Sequence, residues 1–334
     1  MSVLESHRWL GYVLRLGVSA LLIAWMLGRA ELSRVGDVLR SANALFIAVA
    51  FASYFVGYMV SVARWRVLLA VQGIRPRFSY LYWSFMIGVF FNQLLPTTIG
   101  GDVARYQYTS AGGRGAALSA VLLDRVFGTV SLMVFAMAGL ALALVHGNET
   151  LPRGLLRPVA ALLVVGLLIL VFAFLLPGPA SSLLRRAVLM LPRGGRGPFD
   201  KLLDAFAAFR GRHYVAFAAV GWSLVLQCVV VGHYYLAGLA LGIDLPLGAY
   251  VFIVPLATVV TALPISINGI GVREGILGYL LGLYGVDPST SLVFAWVLYA
   301  MLLGQGLLGG VVFALLKAWR REGVETLARD ETKP

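Results

Sequence analysis

The sequence predicts an all-α, multi-pass membrane protein. Its 334 residues are 60% hydrophobic and only 13% charged, the mean hydropathy is +0.87, and several apolar runs are long enough to cross a bilayer. A second observation is a duplicated motif, because residues 95–105 align without a gap with residues 263–273, at a spacing of 168 residues. Each copy combines a proline and glycines, which interrupt helices, with an arginine. We therefore expect two broken helices that carry charge into the membrane.

The apolar runs predict six full transmembrane helices. They cover residues 10–28, 43–63, 117–145, 155–176, 214–241 and 289–316. The first is too long for the core of a signal peptide, so we expect it to remain uncleaved. Arg64-Trp65-Arg66 follows the second helix, and we interpret this basic and aromatic pattern as an interfacial anchor rather than a lipid-recruiting site. Lys317, Arg320 and Arg321 are expected to stop the last helix.

The apolar segments beside the duplicated motif are too short to cross a bilayer as helices. Residues 84–95 span about 18 Å, residues 251–263 about 20 Å and residues 275–284 about 15 Å, whereas the hydrocarbon core is about 30 Å thick. The segment 101–113 is too polar to face lipid, so it must be covered by protein or line a wet cavity. Both motifs are therefore expected near the middle of the membrane.

Charge decides between two topologies for these broken segments. If they crossed the bilayer, the basic cluster at residues 64–77 would be stranded outside, against the positive-inside rule. If each segment enters and leaves on the same side, most of the 27 Lys and Arg residues lie on the cytoplasmic side. The sequence therefore favours two re-entrant hairpins and places both termini in the cytoplasm.

The 168-residue shift extends beyond the motif. It maps helix 43–63 onto 211–231 and helix 117–145 onto 285–313, so the repeat unit is helix, broken hairpin, helix. Under the hairpin topology the two units enter from opposite sides and form an inverted repeat. The predicted organisation is a single transmembrane domain (1–316) with repeat 1 at about 43–145 and repeat 2 at about 211–316, an amphipathic cytoplasmic connection at 180–213, and a basic cytoplasmic tail at 317–334.

Charged and polar residues in and around the two motifs are the candidate site. Arg105 and Arg273 are expected to face a shared cavity, since an arginine inside a membrane is functional by default. The structural alternative for each is an ion pair with a neighbouring carboxylate, Asp102 or Glu274. The other candidates are Asn92 and Asn268 as head-group or carbonyl partners, Asp124 and Arg125 as a cavity gate or helix anchor, and Pro96, Gly100, Gly101, Pro264, Gly269 and Gly271 as the residues that break the helices.

The formal net charge of +12 favours anionic lipid surfaces over nucleic acid, because the basic residues lie in short loops between apolar runs. The four histidines are scattered without the spacing of metal ligands, and no nucleophile-elbow, Walker or HExxH motif is present. We therefore expect no metal, no cofactor and no nucleic-acid partner.

The motif sequences resemble a known family. The stretches that carry the resemblance are Leu95-Pro96-Thr97-Thr98-Ile99-Gly100-Gly101-Asp102-Val103-Ala104-Arg105, then Asp124-Arg125-Val126-Phe127-Gly128, and later Asn268-Gly269-Ile270-Gly271-Val272-Arg273-Glu274-Gly275. They resemble the lysylphosphatidylglycerol synthase transmembrane-region family, also called the flippase-like or UPF0104 family. The resemblance covers roughly residues 10–316, and aspartate stands at 124 where the family leads us to expect glutamate. It implies the lipid-translocating half without the synthase domain, with Asp102, Arg105, Arg273 and Glu274 as the residues carried over.

Stand-alone members of this family are associated with isoprenoid-linked glycan, glycolipid or hopanoid pathways, so the resemblance leaves the lipid open. We expect a non-enzymatic flippase that moves an anionic, phosphate-bearing lipid across a bacterial inner membrane, with a lipid-synthesis enzyme as a possible partner. One alternative is a membrane-embedded transferase or accessory subunit with Asp102 or Asp124 as base. Another is a non-catalytic scaffold, whose function would survive replacement of both Arg105 and Arg273 by glutamine.

Overall fold

The computed structural model describes residues 31–94, 100–110, 113–145, 213–262 and 266–330, together with residues 17, 21, 24, 28, 160, 161, 164 and 165. The predicted helices 10–28 and 155–176, apart from these single residues, and the connection 180–213, apart from its last residue, lie outside the described residues. Pro96 and Pro264 lie outside them as well. Within the described ranges the protein is all-helical, with nine α-helices and no strand.

The helices are numbered in chain order. They are α1 (Leu32–Ser41), α2 (Ala44–Val71), α3 (Phe78–Leu94), α4 (Gly100–Thr109), α5 (Arg114–Val145), α6 (His213–Ala240), α7 (Leu247–Ala262), α8 (Val272–Gly282) and α9 (Pro288–Asp330), with a 3₁₀ turn at Ile267–Gly269 before α8. Four are long and apolar enough to cross a membrane: α2, Arg114–Leu142 of α5, Tyr214–Ala240 of α6 and Pro288–Leu316 of α9. Four of the six predicted spans are thus confirmed.

Helix α2 is longer than the sequence predicts. It begins at Asn43, whose side chain accepts hydrogen bonds from the N–H groups of Leu45 and Phe46 at 3.0 and 3.3 Å. It continues past Ala63, where the basic and aromatic triplet was expected to end it, because arginine, tryptophan and leucine are all compatible with a helix. The chain turns only at Gly73, which has a φ of 81°. Arg64 therefore lies inside the helix and not at its boundary.

Helix α9 is also longer than predicted. The charged residues after Leu316 were expected to stop it, yet the helix runs to Asp330. Those charges limit the apolar span, which ends at Leu316, but lysine, arginine and glutamate are good helix formers. The sequence reasoning confused the end of a membrane span with the end of a helix.

The order of elements repeats along the chain. A shift of 168 residues carries the range of α3 (78–94) onto 246–262, within one residue of α7, and α2 and α5 are likewise carried near α6 and α9. The packing repeats too, since α3 packs on α9 and α5 packs on α7. At Gly309 and Gly139 the helix surfaces come so close that an added Cβ would overlap the Met86 and Val251 carbonyls.

Helices α2 and α6, which occupy the same position in the two repeats, pack antiparallel. The start of α2 meets the end of α6, where the N–H of Asn43 donates to the Ala240 carbonyl at 2.8 Å. The end of α2 meets the start of α6, where Arg64 donates to Ser223 at 2.9 Å. These two helices form the centre of the described bundle.

The buried apolar residues form two clusters, one at each end of the α2–α6 pair. The first surrounds Tyr250, Phe252 and Leu280 and joins α7, α8 and α9 to the end of α6. The second surrounds Trp65 and Leu123 and joins the end of α2 to α3, the start of α5 and the start of α6. The first broken motif lies beside the second cluster, and the second broken motif beside the first.

Candidate functional site

A buried carboxylate holds two arginines from different helices. Asp124, in the apolar span of α5, accepts hydrogen bonds from Arg64 Nε of α2 at 2.7 Å and from Arg105 Nη2 of α4 at 3.0 Å. The three side chains are between 5% and 8% exposed. Arg64 also donates to Ser223 Oγ of α6 at 2.9 Å. A charge so deep in an apolar bundle is tolerated only when paired, so this network fixes four helices against each other.

Arg105 also lies against aromatic rings. Its Cζ atom is 4.3 Å from the ring centroid of Trp65 and 5.1 Å from that of Phe85, which are distances of cation–π contact. In the described part of the chain, Arg105 Nε and Trp65 Nε1 are buried donors with no hydrogen-bond partner. Buried donors are normally satisfied, so these two atoms are available to an acceptor on a ligand.

The network extends toward the surface through Asp102 and Arg125. Asp102 forms a short ion pair with Arg125 Nε, and one of its oxygens lies 3.7 Å from Arg105 Nη1. The side chain of Asp102 is 17% exposed and that of Arg125 is 47% exposed. We call Arg64, Arg105, Arg125, Asp102 and Asp124 the arginine cluster. Its three guanidiniums and two carboxylates give it one net positive charge.

Small residues in the first motif bring α4 close enough to place Arg105. A Cβ added at Gly101 would lie 2.6 Å from the Gly88 carbonyl oxygen and 2.5 Å from Asn92 Nδ2, so only glycine fits where α4 crosses α3. The N–H of Gly101 donates to Asn92 Oδ1 at 2.6 Å. Gly100 is buried at the first position of α4. Through this contact Asn92 satisfies an N–H group at the start of α4, where a broken-helix carbonyl was the expected partner, and its expected role at a head group stays a prediction.

The second motif breaks the chain by backbone conformation. Asn268, Gly269 and Gly271 have φ values of 52°, 75° and 83°, in the left-handed region that non-glycine residues rarely adopt. Glu274 is buried and accepts a hydrogen bond from the N–H of Gly271 at 2.6 Å, which caps α8. The ion pair between Glu274 and Arg273 that the sequence offered as an alternative is not among the contacts of the described residues.

Arg273 lies in a different environment from Arg105. Its Cζ atom is 5.5 Å from the ring centroid of Tyr299 on α9. On α9 Tyr299 lies before Gln305, whose amide donates to the Phe51 carbonyl in the first half of α2 at 3.3 Å, whereas Arg105 lies over Trp65 near the end of α2. The structure therefore groups Asp102, Arg105, Asp124 and Arg125, and it places Arg273 and Glu274 in a second group near the other end of α2.

Sequence reasoning missed Arg64, Trp65 and Ser223. Arg64 is 6% exposed and Trp65 is fully buried, so the triplet is not an interfacial anchor, although Arg66 is exposed as an anchor requires. The available signal was the apolar run Val67–Val71, which continues the α2 span beyond the triplet. Asp124 is likewise a buried ion-pair partner and not a surface anchor.

Comparison with known proteins identifies relatives along nearly the whole chain. The family model described as "Lysylphosphatidylglycerol synthase TM region" matches residues 12–323. A UPF0104 membrane protein of Methanothermobacter thermautotrophicus is 22% identical over 300 residues, which cover 80% of this chain and 86% of the relative. A second from the same organism is 23% identical over 283 residues, or 76% and 79% of the two chains. No solved structure matches.

Proposed function

Since the chain belongs to the lysylphosphatidylglycerol synthase TM-region family, as its motifs predict, we propose that it moves an anionic, phosphate-bearing lipid across the membrane. It is a multi-pass membrane protein, with four apolar spans among the described residues, and its UPF0104 relatives are membrane proteins by name. The proposal places it in the inner, plasma membrane with both termini in the cytoplasm. The lipid is a phospholipid, an aminoacyl-phospholipid or a polyprenyl-linked lipid.

The observation that carries this proposal is the pair of unsatisfied donors beside Arg105. Arg105 Nε and Trp65 Nε1 lack acceptors among the described residues, and a phosphate oxygen, like a carboxylate oxygen, is an acceptor that a guanidinium binds strongly. The arginine cluster carries one net positive charge, which the single negative charge of a phosphodiester neutralises. The partly exposed Arg125 lies at the open end of the cluster and is where the head group enters.

The cluster lowers the cost of bringing a charged head group into the bilayer. An isolated charge at the membrane centre costs about 2.5 to more than 10 kcal/mol. Asp124 keeps Arg64 and Arg105 in place while no lipid is bound, so the site is preorganised and the phosphate adds to an existing network. The acyl or isoprenoid chains stay in the hydrocarbon.

An inverted repeat supplies the conformational change. The antiparallel contact of the equivalent helices α2 and α6 supports this interpretation, as does the exchange of partners in which α3 packs on α9 and α7 on α5. In this scheme rocking of one repeat against the other exposes Arg105 and Arg273 in turn. The two arginines are then successive stations for the phosphate, one nearer each leaflet, instead of one shared cavity.

The pairing of the aspartates weighs against the alternative of a transferase with an aspartate base. Asp124 accepts from two guanidiniums and Asp102 is paired with Arg125, so the carboxylate oxygens that a base would use are already bound by arginines. If an aspartate were the base, Asp124→Asn or Asp102→Asn would abolish product formation and leave lipid movement intact.

The test is transbilayer movement of lipid in proteoliposomes. Purified protein is reconstituted with fluorescently labelled phosphatidylglycerol, lysylphosphatidylglycerol or a polyprenyl phosphate, and outer-leaflet label is quenched with an impermeant reductant. We expect the wild type to accelerate movement of at least one of these lipids, and Arg105→Gln to lower the rate at least tenfold. Arg66→Gln, which changes an exposed arginine of α2 two residues after Arg64, is the control and should retain the wild-type rate. Failure of the wild-type protein to move any of the three lipids contradicts the proposal.

A further inference from the structure

A buried hydrogen-bonded bridge joins α2 to α9 in the middle of the membrane spans. The hydroxyl of Tyr58 donates to Gln305 Oε1, and Gln305 Nε2 donates to the Phe51 carbonyl at 3.3 Å. Both side chains are buried, and each lies near the centre of an apolar span, 44–71 in α2 and 288–316 in α9. Polar side chains at that depth are costly and usually functional. We call these contacts of Tyr58, Gln305 and Phe51 the central bridge.

The central bridge spans the more open of two equivalent helix pairs. The 168-residue shift relates the pair α2 and α9 to the pair α6 and α5. In the described part of the chain α6 packs closely on α5, whereas the backbones of α2 and α9 come close at few positions. The positions equivalent to Tyr58 and Gln305 are Leu226 and Met137, both apolar. The two repeats therefore differ where α2 meets α9, and there a side-chain hydrogen bond stands in for close backbone packing.

Glycines on both sides of Gln305 bring α9 against its neighbours. A Cβ added at Gly304 would lie 3.2 Å from Phe51 Cε2, and a Cβ added at Gly306 would lie 2.8 Å from Gln93 Cγ. Gln93 lies at the end of α3, just before the first broken motif. This part of α9 therefore contacts both α2 and the point where α3 breaks, so a movement of α9 is felt at the first motif.

Phe85 connects the central bridge to the arginine cluster. Its ring centroid is 5.4 Å from that of Tyr58 and 5.1 Å from Arg105 Cζ. Trp65, over which Arg105 lies, follows Tyr58 on the same face of α2 after two turns, or about 10 Å. A head group that leaves Arg105 for the opposite leaflet along this face of α2 therefore meets the central bridge next.

We propose that the central bridge is the closed gate of the lipid path at mid-membrane, an inference that rests on the proposed lipid transport. While the bond between Tyr58 and Gln305 holds, α9 stays against α2 and the head group cannot pass between them. When repeat 2 rocks, α9 moves away from α2 and the bond breaks. The hydroxyl and the amide then face the open path, where water and the head group satisfy them. Because the backbones of the two helices come close at few positions, this bond has a large share in holding the gate shut.

The hold of the central bridge on α9 is tested without any transport assay. Spin labels are attached at Val56→Cys of α2 and Leu307→Cys of α9, both exposed positions, in a Cys228→Ser background, and their distance is measured by pulsed EPR in phosphatidylcholine nanodiscs. We expect Tyr58→Phe, which removes only the hydroxyl, to add a population at longer distance. Tyr250→Phe removes a buried hydroxyl that has no partner among the described residues, so it is the matched control and should keep the original distances. A Tyr58→Phe protein with unchanged distances overturns the gate.

The effect on transport is measured in the proteoliposome assay. Loss of one hydrogen bond from the closed state raises the open fraction, so we expect Tyr58→Phe to speed lipid movement about two- to tenfold. Arg105→Gln should slow the movement, because it removes the phosphate site and leaves the gate intact. Tyr250→Phe should keep the wild-type rate. A Tyr58→Phe protein that moves lipid no faster than the wild type shows that the central bridge is not the barrier.

The outcomes separate the two proposals. A wild type that moves lipid, with a Tyr58→Phe variant that changes neither the distance nor the rate, overturns the gate and leaves the proposed function standing. A wild type that moves none of the three lipids overturns the proposed function and with it the gating role. The EPR distances still decide in that case whether the central bridge holds α9 against α2.

Discussion

Arg64 Nε and Asp124 Oδ1 are 2.7 Å apart, although the two residues are separated by 60 positions in the sequence. Each lies inside an apolar span, and their side chains are only 7% and 5% exposed. The ion pair therefore fixes the relative depth of α2 and α5, and Ser223 adds α6 to the same contact.

Replacing Asp124 by asparagine should lower the stability of the protein substantially. Removing one partner of a buried ion pair typically costs about 3–5 kcal/mol, and here two guanidiniums lose their carboxylate. We expect a lower thermal unfolding temperature in detergent, followed by tryptophan fluorescence. Arg66→Ala, at an exposed position two residues after Arg64, should change it little. An Asp124→Asn protein as stable as the wild type would show that the pair contributes nothing net.

Gly101→Ala should disturb the crossing of α3 and α4. The added Cβ would lie 2.6 Å from the Gly88 carbonyl oxygen, closer than real Cβ contacts, and relief of such overpacking costs about 1–3 kcal/mol. Because Arg105 follows one turn later, we expect a reduced lipid transport rate as well as reduced stability. Gly282→Ala, where an added Cβ meets nothing within 4 Å, is the control. Equal stability of the two alanine proteins would contradict the close approach.

The contact between α1 and α9 should weaken in acid. Burial alone raises the pKa of Asp287, but hydrogen bonds from Thr290 and the charge of Arg34 outweigh it and lower that pKa below 3.8. A carboxyl with a depressed pKa stabilises the fold above its unfolded pKa, and this contribution is lost as the pH falls through the folded value. The difference in unfolding temperature between wild type and Asp287→Asn should therefore stay constant above pH 4 and shrink below it. A difference that grows in acid would have the wrong sign.

The ends of α2 and α6 should face opposite sides of the membrane. In a Cys228→Ser background, Arg75→Cys follows α2 and Asp244→Cys follows α6, and both positions are exposed. Because the two helices pack antiparallel, we expect a membrane-impermeant thiol reagent to label Asp244→Cys in intact cells. It should label Arg75→Cys only after permeabilisation, which places that loop in the cytoplasm. Labelling of both in intact cells would contradict the inverted arrangement.

The sequence predicts the helical class, the repeat spacing and the family, because these depend on hydrophobic runs and on a motif written twice. It predicts Arg105 and Asp102 for the same reason, since both lie within the motif. The burial of Arg64 is not predicted, because the triplet Arg64-Trp65-Arg66 reads the same in the sequence whether it lies at a membrane boundary or is buried inside the bundle. Only the position of Asp124 on a neighbouring helix distinguishes the two cases, and that information is tertiary.

The separation of Arg105 from Arg273 could not be predicted from the sequence either. Two arginines in duplicated motifs suggest a common cavity, but each arginine lies near its own half of the antiparallel α2–α6 pair. Arg105 lies over Trp65 near the end of α2, and Arg273 lies over Tyr299 of α9, which meets the first half of α2 where Gln305 donates to the Phe51 carbonyl. Residue spacing along the chain reports the repeat and not the distance between its copies.

Helix α9 leaves its apolar span at Leu316 without a break and continues to Asp330. The added length is about 21 Å of continuous helix, and α9 is tightly packed on α3 at Gly309. A tilt of the span by about 10° would displace the far end by about 4 Å if the helix moves as a straight rod. If repeat 2 rocks as proposed, this extension would act as a lever arm outside the apolar span, and a label at its tip would follow the proposed transport in real time.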